Sequence, residues 1–392
     1  MLMTDRWLLP EGVDEALPEQ AEKIEQLRRV LLNLHGRWGY DLVIPPLLEY
    51  LDSLLTGAGS DLELETFKVI DQLSGRLMGI RADFTSQVAR IDARCIKEQG
   101  VQRLSYCGSV LRTIPAGLDG SRSPIQMGAE LYGHGGVESD IEILSLMLET
   151  LEVAGIKSPV LDLGHVDIVR GVIEASSINE GDKETLADFY RSKALPELES
   201  FVSSLSISEQ QKAWLIALPR LCGGEKVLAE AQAIFAGAGK KIEDALASLV
   251  AIKTQVQARF PNVGLHFDLS DLVSYSYHTG LVFAAYVPGF GNAIARGGRY
   301  NNIGEVFGRS RPATGFSTDL KTLVSLADIK VEKAKRVLVP VATDVSLWQA
   351  IQALRAQNYQ VVEQLTELDS QVDYDYTLAQ IQGEWQLVAA TK

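Results

Sequence analysis

From Pro18 to Gly39 the apolar residues Ile24, Leu27, Leu31, Leu34 and Trp38 recur every three or four positions, which predicts an amphipathic helix opened by Pro18 and capped by Gly39. Residues 42–44 then read as a short strand halted by Pro45 and Pro46, and residues 66–81 as two strands folded around Ser74 and Gly75. A helix from Thr85 to Gln99, a strand near 103–107, a Pro/Gly/Ser loop from Pro115 to Pro124, a strand from Ile125 to Tyr132 and a helix from Glu138 to Val153 follow. Between about 165 and 260 the character changes. Long helical patterns at 180–205, 225–237 and 241–259, with few strand signals, predict a helical insertion. Strand signals return at 263–269 and 281–287, followed by a glycine-rich turn at 297–298 and a strand-to-helix run from Thr314 to Leu326. The expected organisation is one sheet domain over residues 1–330, interrupted by that insertion, and a small α/β unit over 331–392 that opens on Arg336, Val337, Leu338 and Val339.

Composition narrows the function classes. With 392 residues, 46% hydrophobic and 22% charged, the chain has enough apolar side chains for buried cores, which sets aside disorder and disulfide scaffolds. A net charge of −14 repels polyphosphates and no basic block offsets it, so no nucleic-acid partner is expected. Cys95, Cys107 and Cys222 are far apart and never spaced as a metal or disulfide motif, and they read as reduced, buried thiols. No window offers the ~18 uninterrupted apolar residues of a membrane helix, and the start has no long apolar core of a signal peptide. A cytoplasmic protein without membrane contact is the expectation.

The strand Ile125 to Tyr132 is the most informative run, because alternate side chains face opposite ways. Ile125, Met127, Ala129 and Leu131 make a core face. Gln126, Gly128, Glu130 and Tyr132 put an amide, a carboxylate and a phenol around a glycine, which suits either a small-molecule floor or a strand facing water. Arg81 and Asp83 share a face if the chain is extended there, opposite charges that suit a zwitterion, with Thr85 opening the next helix. Arg112 and Arg122 flank the loop PAGLDGSRSP, whose glycines offer backbone amides to an anion or simply a surface turn. The run ARGGRYNNIG reads as a tight turn first. Gly239 and Lys240 make no phosphate loop, since Ile234 stands where glycine is required. The histidines have no metal-ligand spacing, and no serine elbow or Cys/His pair marks a nucleophile.

Taken together, these runs resemble the catalytic domain of histidyl-tRNA synthetase and, more closely, its paralogue, the regulatory subunit of ATP phosphoribosyltransferase. GYDLVIPPLLE from Gly39 is similar to the class II dimer-interface motif, IRADFT from Ile80 to the family's histidine-contacting run, and GSVLRTIPAGLDGSRSPIQMGAELYG from Gly108 to motif 2 and the strand after it. YHTGLVF from Tyr277 and GGRYNNIG from Gly297 resemble the two histidine-family signatures, and PATGFSTDL from Pro312 resembles motif 3. The resemblance implies an α+β fold: a six-stranded antiparallel sheet flanked by helices, dimeric, with a histidine pocket. It implies that Asp83, Thr85, Gln126 and Glu130 receive the amino group and imidazole of histidine, that Arg112 lies toward the carboxylate, and that Tyr277 and His278 line the ring side. His278 stands where the synthetases usually have a second tyrosine.

Departures from the synthetase pattern point away from adenylation. The ATP-binding arginine that ends motif 3 is replaced by Thr322 with Lys321 beside it, the arginine before the paired tyrosines by Val273, and a glutamate by Ala284. Aligning a triphosphate needs preorganised positive charge. The expectation is therefore a chain with no catalytic residues, no metal and no cofactor. It would bind L-histidine as an allosteric ligand and pair with a short-form ATP phosphoribosyltransferase catalytic subunit, as a dimer within a hetero-octamer. It would activate that subunit and mediate feedback in the first step of histidine biosynthesis. An active histidyl-tRNA synthetase and a free-standing histidine sensor are the alternatives.

Overall fold

Ile24, Leu27, Leu31 and Leu34 are buried along one face of the first helix, α1 (Pro18–Arg37), and Gly39 beyond its end has φ +81°, a conformation that favours glycine. The structure, a computed structural model, describes residues 7–390 apart from 56–59, 97, 116–119, 271–277, 330–332, 343 and 372. Two units partition the chain, residues 1–329 and 330–392.

In the first unit α1 leads to strands β1 (Asp41–Leu42) and β2 (Leu48–Tyr50), helices α2 (Leu51–Leu55) and α3 (Ser60–Glu65), strands β3 (Phe67–Ile70) and β4 (Leu77–Ile80), and helix α4 (Thr85–Arg90). Strands β5 (Gln102–Ser109) and β6 (Ile125–Tyr132), helix α5 (Val137–Val153) and strand β7 (Val160–His165) come next. The helical segment follows as α6 (Val166–Ala175), α7 (Glu180–Ser192), α8 (Leu195–Ser204), α9 (Glu209–Ala217), the two-residue strand β8 (Cys222–Gly223), α10 (Lys226–Ile234) and α11 (Lys240–Arg259). The unit closes with β9 (Gly264–Asp268), β10 (Leu281–Tyr286), β11 (Ala295–Arg299), β12 (Ala313–Asp319) and α12 (Leu320–Leu326).

The main sheet has the order β1-β5-β6-β12-β11-β10-β7-β9-β8, and its inner run from β5 to β7 is antiparallel throughout. These are the six strands of the expected fold; β1 joins one end in parallel, and β9 and β8 extend the other. One face carries Met127, Ala129, Leu131, Leu161, Leu163, Phe283 and Phe316 into a core shared with α1, α5 and α11. The opposite face is the polar one. A separate three-stranded sheet, β2-β4-β3, stands beside α2. The second unit is a four-stranded sheet made of β13 (Arg336–Val339), β14 (Gln360–Glu363), β15 (Tyr376–Ile381) and β16 (Glu384–Ala389), with helix α13 (Val345–Ala356) packed on Val337, Val339, Val361 and Leu378.

Several local expectations differ from the structure. The glycine pair at 297–298 is not a turn but the middle of β11, where a Cβ on Gly298 would press on the His278 ring. The helix from Thr85 stays regular to Arg90 and then widens into a π-helical turn over Ile91–Ile96, which holds Asp92 against Arg311 at 3.1 Å. Lys193, at φ 52°, splits the helix expected over 180–205 into α7 and α8. Strand β7, hidden in sequence behind its single aspartate, alternates Leu161 and Leu163 inward with Asp162 and Gly164 on the polar face. Cys95 and Cys222 are exposed, not buried.

Arg299 on β11 is buried and meets Asp140 of α5 through two contacts, 2.9 and 3.1 Å, while also donating to the carbonyls of His134 and Gly136. Removing the arginine strands a carboxylate that burial already disfavours, which pushes the Asp140 carboxyl up despite Arg299. Arg299→Ala is expected to lower unfolding free energy by about 3–5 kcal/mol, read from urea denaturation; a loss under about 1 kcal/mol would show that the pair does not hold β11 to α5.

Candidate functional site

The polar sheet face is built from side chains that share it by register. Glu130 on β6 lies opposite Gly315 of β12, which lies opposite Gly298 of β11, so the floor beside the carboxylate is stripped of side chains. A Cβ on Gly315 would overlap the Glu130 carboxylate itself. Across this floor opens a cavity of about 680 Å³ whose walls include Asp83, Thr85, Arg112, Glu130 and His278. A smaller cavity of about 180 Å³ adjoins it, sharing Arg112, Arg296 and Ser317, and contains Gln126.

Glu130 is 1% exposed. Its carboxylate accepts from Thr85 Oγ1 at 3.2 Å, from Tyr106 Oη at 3.2 Å and from the Tyr300 hydroxyl. Burial first, and Asp83 second, push this carboxyl well above the usual range, against the pull of the Thr85 and Tyr106 hydroxyls. At the mouth, Asp83 is oriented by neutral donors: Gln126 Nε2 at 2.6 Å and the backbone N–H of Thr85 at 2.7 Å. Gln126 in turn accepts from the Phe84 N–H at 3.3 Å. Two carboxyl groups thus face one cavity with only neutral donors, an arrangement that favours a cationic or N–H-rich ligand.

Six of the residues singled out in the sequence, Asp83, Thr85, Gln126, Glu130, Arg112 and His278, converge here. Arg112 donates to the Ala82 carbonyl at 3.3 Å and stands 3.7 Å from Glu65, so part of its charge is answered within the protein. His278 is buried against β11, and its carbonyl accepts from Arg170 at 2.9 Å. Tyr277 and Val273 lie outside the described residues, as does part of the loop from Pro115, residues 116–119.

Arg81 does not share a face with Asp83. The chain turns at Ala82, and Arg81 is buried behind the site, donating to the carbonyls of Pro45 and Ser109 at 2.9 Å each and lying 3.8 Å over the Phe84 ring. Phe84 stacks on Tyr106 at 4.6 Å, so the arginine braces a ring column that ends on a Glu130 donor. Arg122 is likewise a strut, donating to the carbonyls of Arg112 and Glu11 at 3.0 and 2.8 Å.

Tyr106 and Tyr300 escaped the sequence reading as partners of Glu130. The signal for Tyr300 was the alternation along β11, which continues the face of Gly298 to Tyr300 once the run is a strand rather than a turn. At the far end of the sheet His266 Nδ1 lies 2.8 Å from Asp162 and its Nε2 3.6 Å from Cys222 Sγ, a Cys/His pair separated by 44 residues in sequence. Burial and the Asp268 and Asp162 carboxylates push that thiol up, which disfavours a thiolate nucleophile.

Thr322 and Asp319 line the smaller cavity, where Asp319 caps α12 and accepts from Thr322 Oγ1 at 2.9 Å. Lys321 turns aside to Asp14 at 3.0 Å.

Comparison with known proteins agrees with this architecture. The family model described as Histidyl-tRNA synthetase matches residues 12–323, and that of the ATP phosphoribosyltransferase subunit HisZ C-terminal domain matches 334–388. An ATP phosphoribosyltransferase regulatory subunit of Marinomonas sp. is 66% identical over 99% of both chains, and one of Thioalkalivibrio sulfidiphilus is 53% identical over 93% of both. Among solved structures, an ATP phosphoribosyltransferase regulatory subunit/histidyl-tRNA synthetase from Bacillus halodurans has a TM-score of 0.82 at 27% identity, covering 93% of this chain and 96% of that one. Histidyl-tRNA synthetase from Nostoc sp. PCC 7120 shares the fold at a TM-score of 0.77 and 16% identity, covering 98% of this chain and 97% of that one.

Glu130 makes the ligand-free site pH-sensitive. The folded chain keeps a proton on this carboxyl that the unfolded chain gives up near its ordinary value of 4.5, so stability from this group falls as pH rises above about 4.5. In ligand-free protein the urea midpoint of Glu130→Gln, relative to the unaltered chain, is expected to be higher at pH 8 than at pH 5. Parallel midpoints across that range would show that Glu130 titrates normally.

Proposed function

The chain belongs to the family of ATP phosphoribosyltransferase regulatory subunits, and from that footing we propose that it is a non-catalytic, histidine-sensing subunit acting on the catalytic chain of a short-form ATP phosphoribosyltransferase in the first step of histidine biosynthesis. The observation that carries the ligand is the buried Glu130 with Asp83 at the cavity mouth, two carboxyl groups supplied with neutral donors alone. The amino group and ring N–H of histidine supply what those carboxyl groups lack, and binding lets Glu130 ionise beside a cation. His278 closes the ring side.

The other half of the reading is the absence of adenylation chemistry. Where the resemblance places an arginine for ATP, Thr322 donates its hydroxyl to Asp319, the N-cap of α12, and Lys321 is held by Asp14. Losing one such positive group costs ~3 to 4 kcal/mol of transition-state stabilisation. Phosphoribosyl transfer, a glycosyltransferase reaction, belongs in this reading to residues of the partner chain. Histidine is the allosteric ligand and acts only through its differential affinity for the active and inhibited states of the complex.

Self-association fits the exposed apolar run that resembles the class II dimer motif. Ile44 is 80% exposed, with Leu42, Leu47 and Leu48 exposed around it. A second copy covering this run gives the dimer from which a hetero-octamer of four catalytic and four regulatory chains is assembled.

Glu130→Ala is expected to abolish histidine binding in calorimetry while assembly with the catalytic chain persists, leaving phosphoribosyl-ATP formation that no longer responds to histidine. Unchanged affinity would refute the site, and histidine-dependent ATP–pyrophosphate exchange by the purified chain would refute the non-catalytic reading. Ile44→Glu should shift the isolated chain from dimer to monomer in light scattering; an unaltered mass would place the self-contact elsewhere.

A further inference from the structure

Most charges lining the large cavity are answered inside the protein. Lys193 pairs with Asp268 at 2.7 Å, Arg191 with Asp188 at 2.5 Å and Asp162 with His266 at 2.8 Å, and Arg112 stands 3.7 Å from Glu65. Arg296 differs. Its exposed side chain lines both the large cavity and the smaller one beside it, and among the described residues it has no ion-pair or hydrogen-bond partner.

Register explains why. Arg296 on β11 lies opposite Ser317 of β12 and Ala284 of β10, both small and uncharged, and Asp162, beyond Ala284 in the same row, is paired with His266, so among the described residues no acid on this floor pairs with it. Ala284 is the position at which the resemblance expects a glutamate. With alanine there, Arg296 has no acid directly opposite it, and among the described residues its guanidinium has no partner. Glu130 lies two strands over and two residues along, which for ordinary strand spacing and rise puts the two Cα atoms about 12 Å apart. The floor thus has the Glu130 carboxyl group at one end and, at the other, a guanidinium without a partner among the described residues, with Gly315 and Gly298 leaving the space between them open.

We propose that Arg296 binds the α-carboxylate of the amino acid held by Asp83 and Glu130, so that the site selects a free amino acid over analogues lacking that group. The inference rests on the histidine reading above and assigns the carboxylate chiefly to Arg296, with Arg112, already engaged by Glu65 and Ala82, in support. A guanidinium offers a carboxylate two parallel N–H donors, which neither Ser317 nor a lysine can match. The regulatory consequence is discrimination: an amino alcohol with the same amino group and ring gains the acidic end of the site and forfeits the basic end.

The test is calorimetric titration of the full chain with L-histidine and with L-histidinol, which replaces the carboxylate by a hydroxymethyl group, in the unaltered protein and in Arg296→Gln. The expected result is that Arg296→Gln weakens histidine about ten- to a hundredfold while histidinol affinity stays as it was, the scale of one hydrogen-bonded charge pair. Undiminished histidine affinity in the variant overturns the assignment. A parallel loss for both ligands also overturns it, by showing that Arg296 shapes the cavity rather than reading the carboxylate. No histidine binding by the unaltered protein overturns the underlying reading instead, and the unaltered protein alone reveals that outcome.

Discussion

A buried carboxylate needs donors and space at once, and Glu130 obtains both from the strands around it. Thr85, Tyr106 and Tyr300 supply hydroxyls from three separate segments, and Gly315 supplies the gap in which the carboxyl group lies. The Tyr106 donor is held by Phe84, Phe84 by Arg81, and Arg81 by the carbonyls of Pro45 and Ser109. The brace thus runs from the backbone to the carboxylate through packed groups, which fixes the donor geometry before any ligand arrives. Holding an acid in this way works against folding, and the apolar core on the far side of the same sheet offsets it.

The family and the inner antiparallel sheet were legible in the sequence because strand alternation and motif order are local properties. Ile125 to Tyr132 announces its two faces residue by residue, and both are found as expected. What was not legible depends on three-dimensional placement. Arg81 and Asp83 look equivalent in an extended chain, yet a turn at Ala82 buries one as a brace and leaves the other at the cavity mouth. Gly297 and Gly298 look like a turn because glycine is read as flexibility; here Gly298 serves close approach, and only the position of His278 on a neighbouring segment reveals it. The Glu130 donors Tyr106 and Tyr300 are 24 and 170 residues away in sequence, so even where strand alternation gives the face of Tyr300, no local pattern gives its partner.

The two ends of the sheet floor have different demands, which accounts for the pattern of likeness and departure. In the proposed reading the end around Asp83, Thr85, Gln126 and Glu130 recognises a ground-state ligand, and Gln126 and Thr85 are held there by hydrogen bonds to Asp83 and Glu130. The end around Asp319 and Thr322 lacks a cation aimed at the smaller cavity from α12, since Lys321 is turned to Asp14. An enzyme that activates a carboxylate must bind the transition state more tightly than the substrate, and for that it needs charge poised where new charge develops. A sensor has no such requirement. It needs a ligand that prefers one of two states, and about 1.4 kcal/mol of preference already shifts their ratio tenfold. For the sensor proposed above, removing triphosphate charges would leave sensing intact, while a cation at Arg296, beside Ala284, would act on the ground-state ligand. On the proposed reading Thr322 and Ala284, the departures that would end adenylation, and Arg296, which would sharpen sensing, line two adjoining cavities, because each concerns what lies next to the ligand's carboxylate.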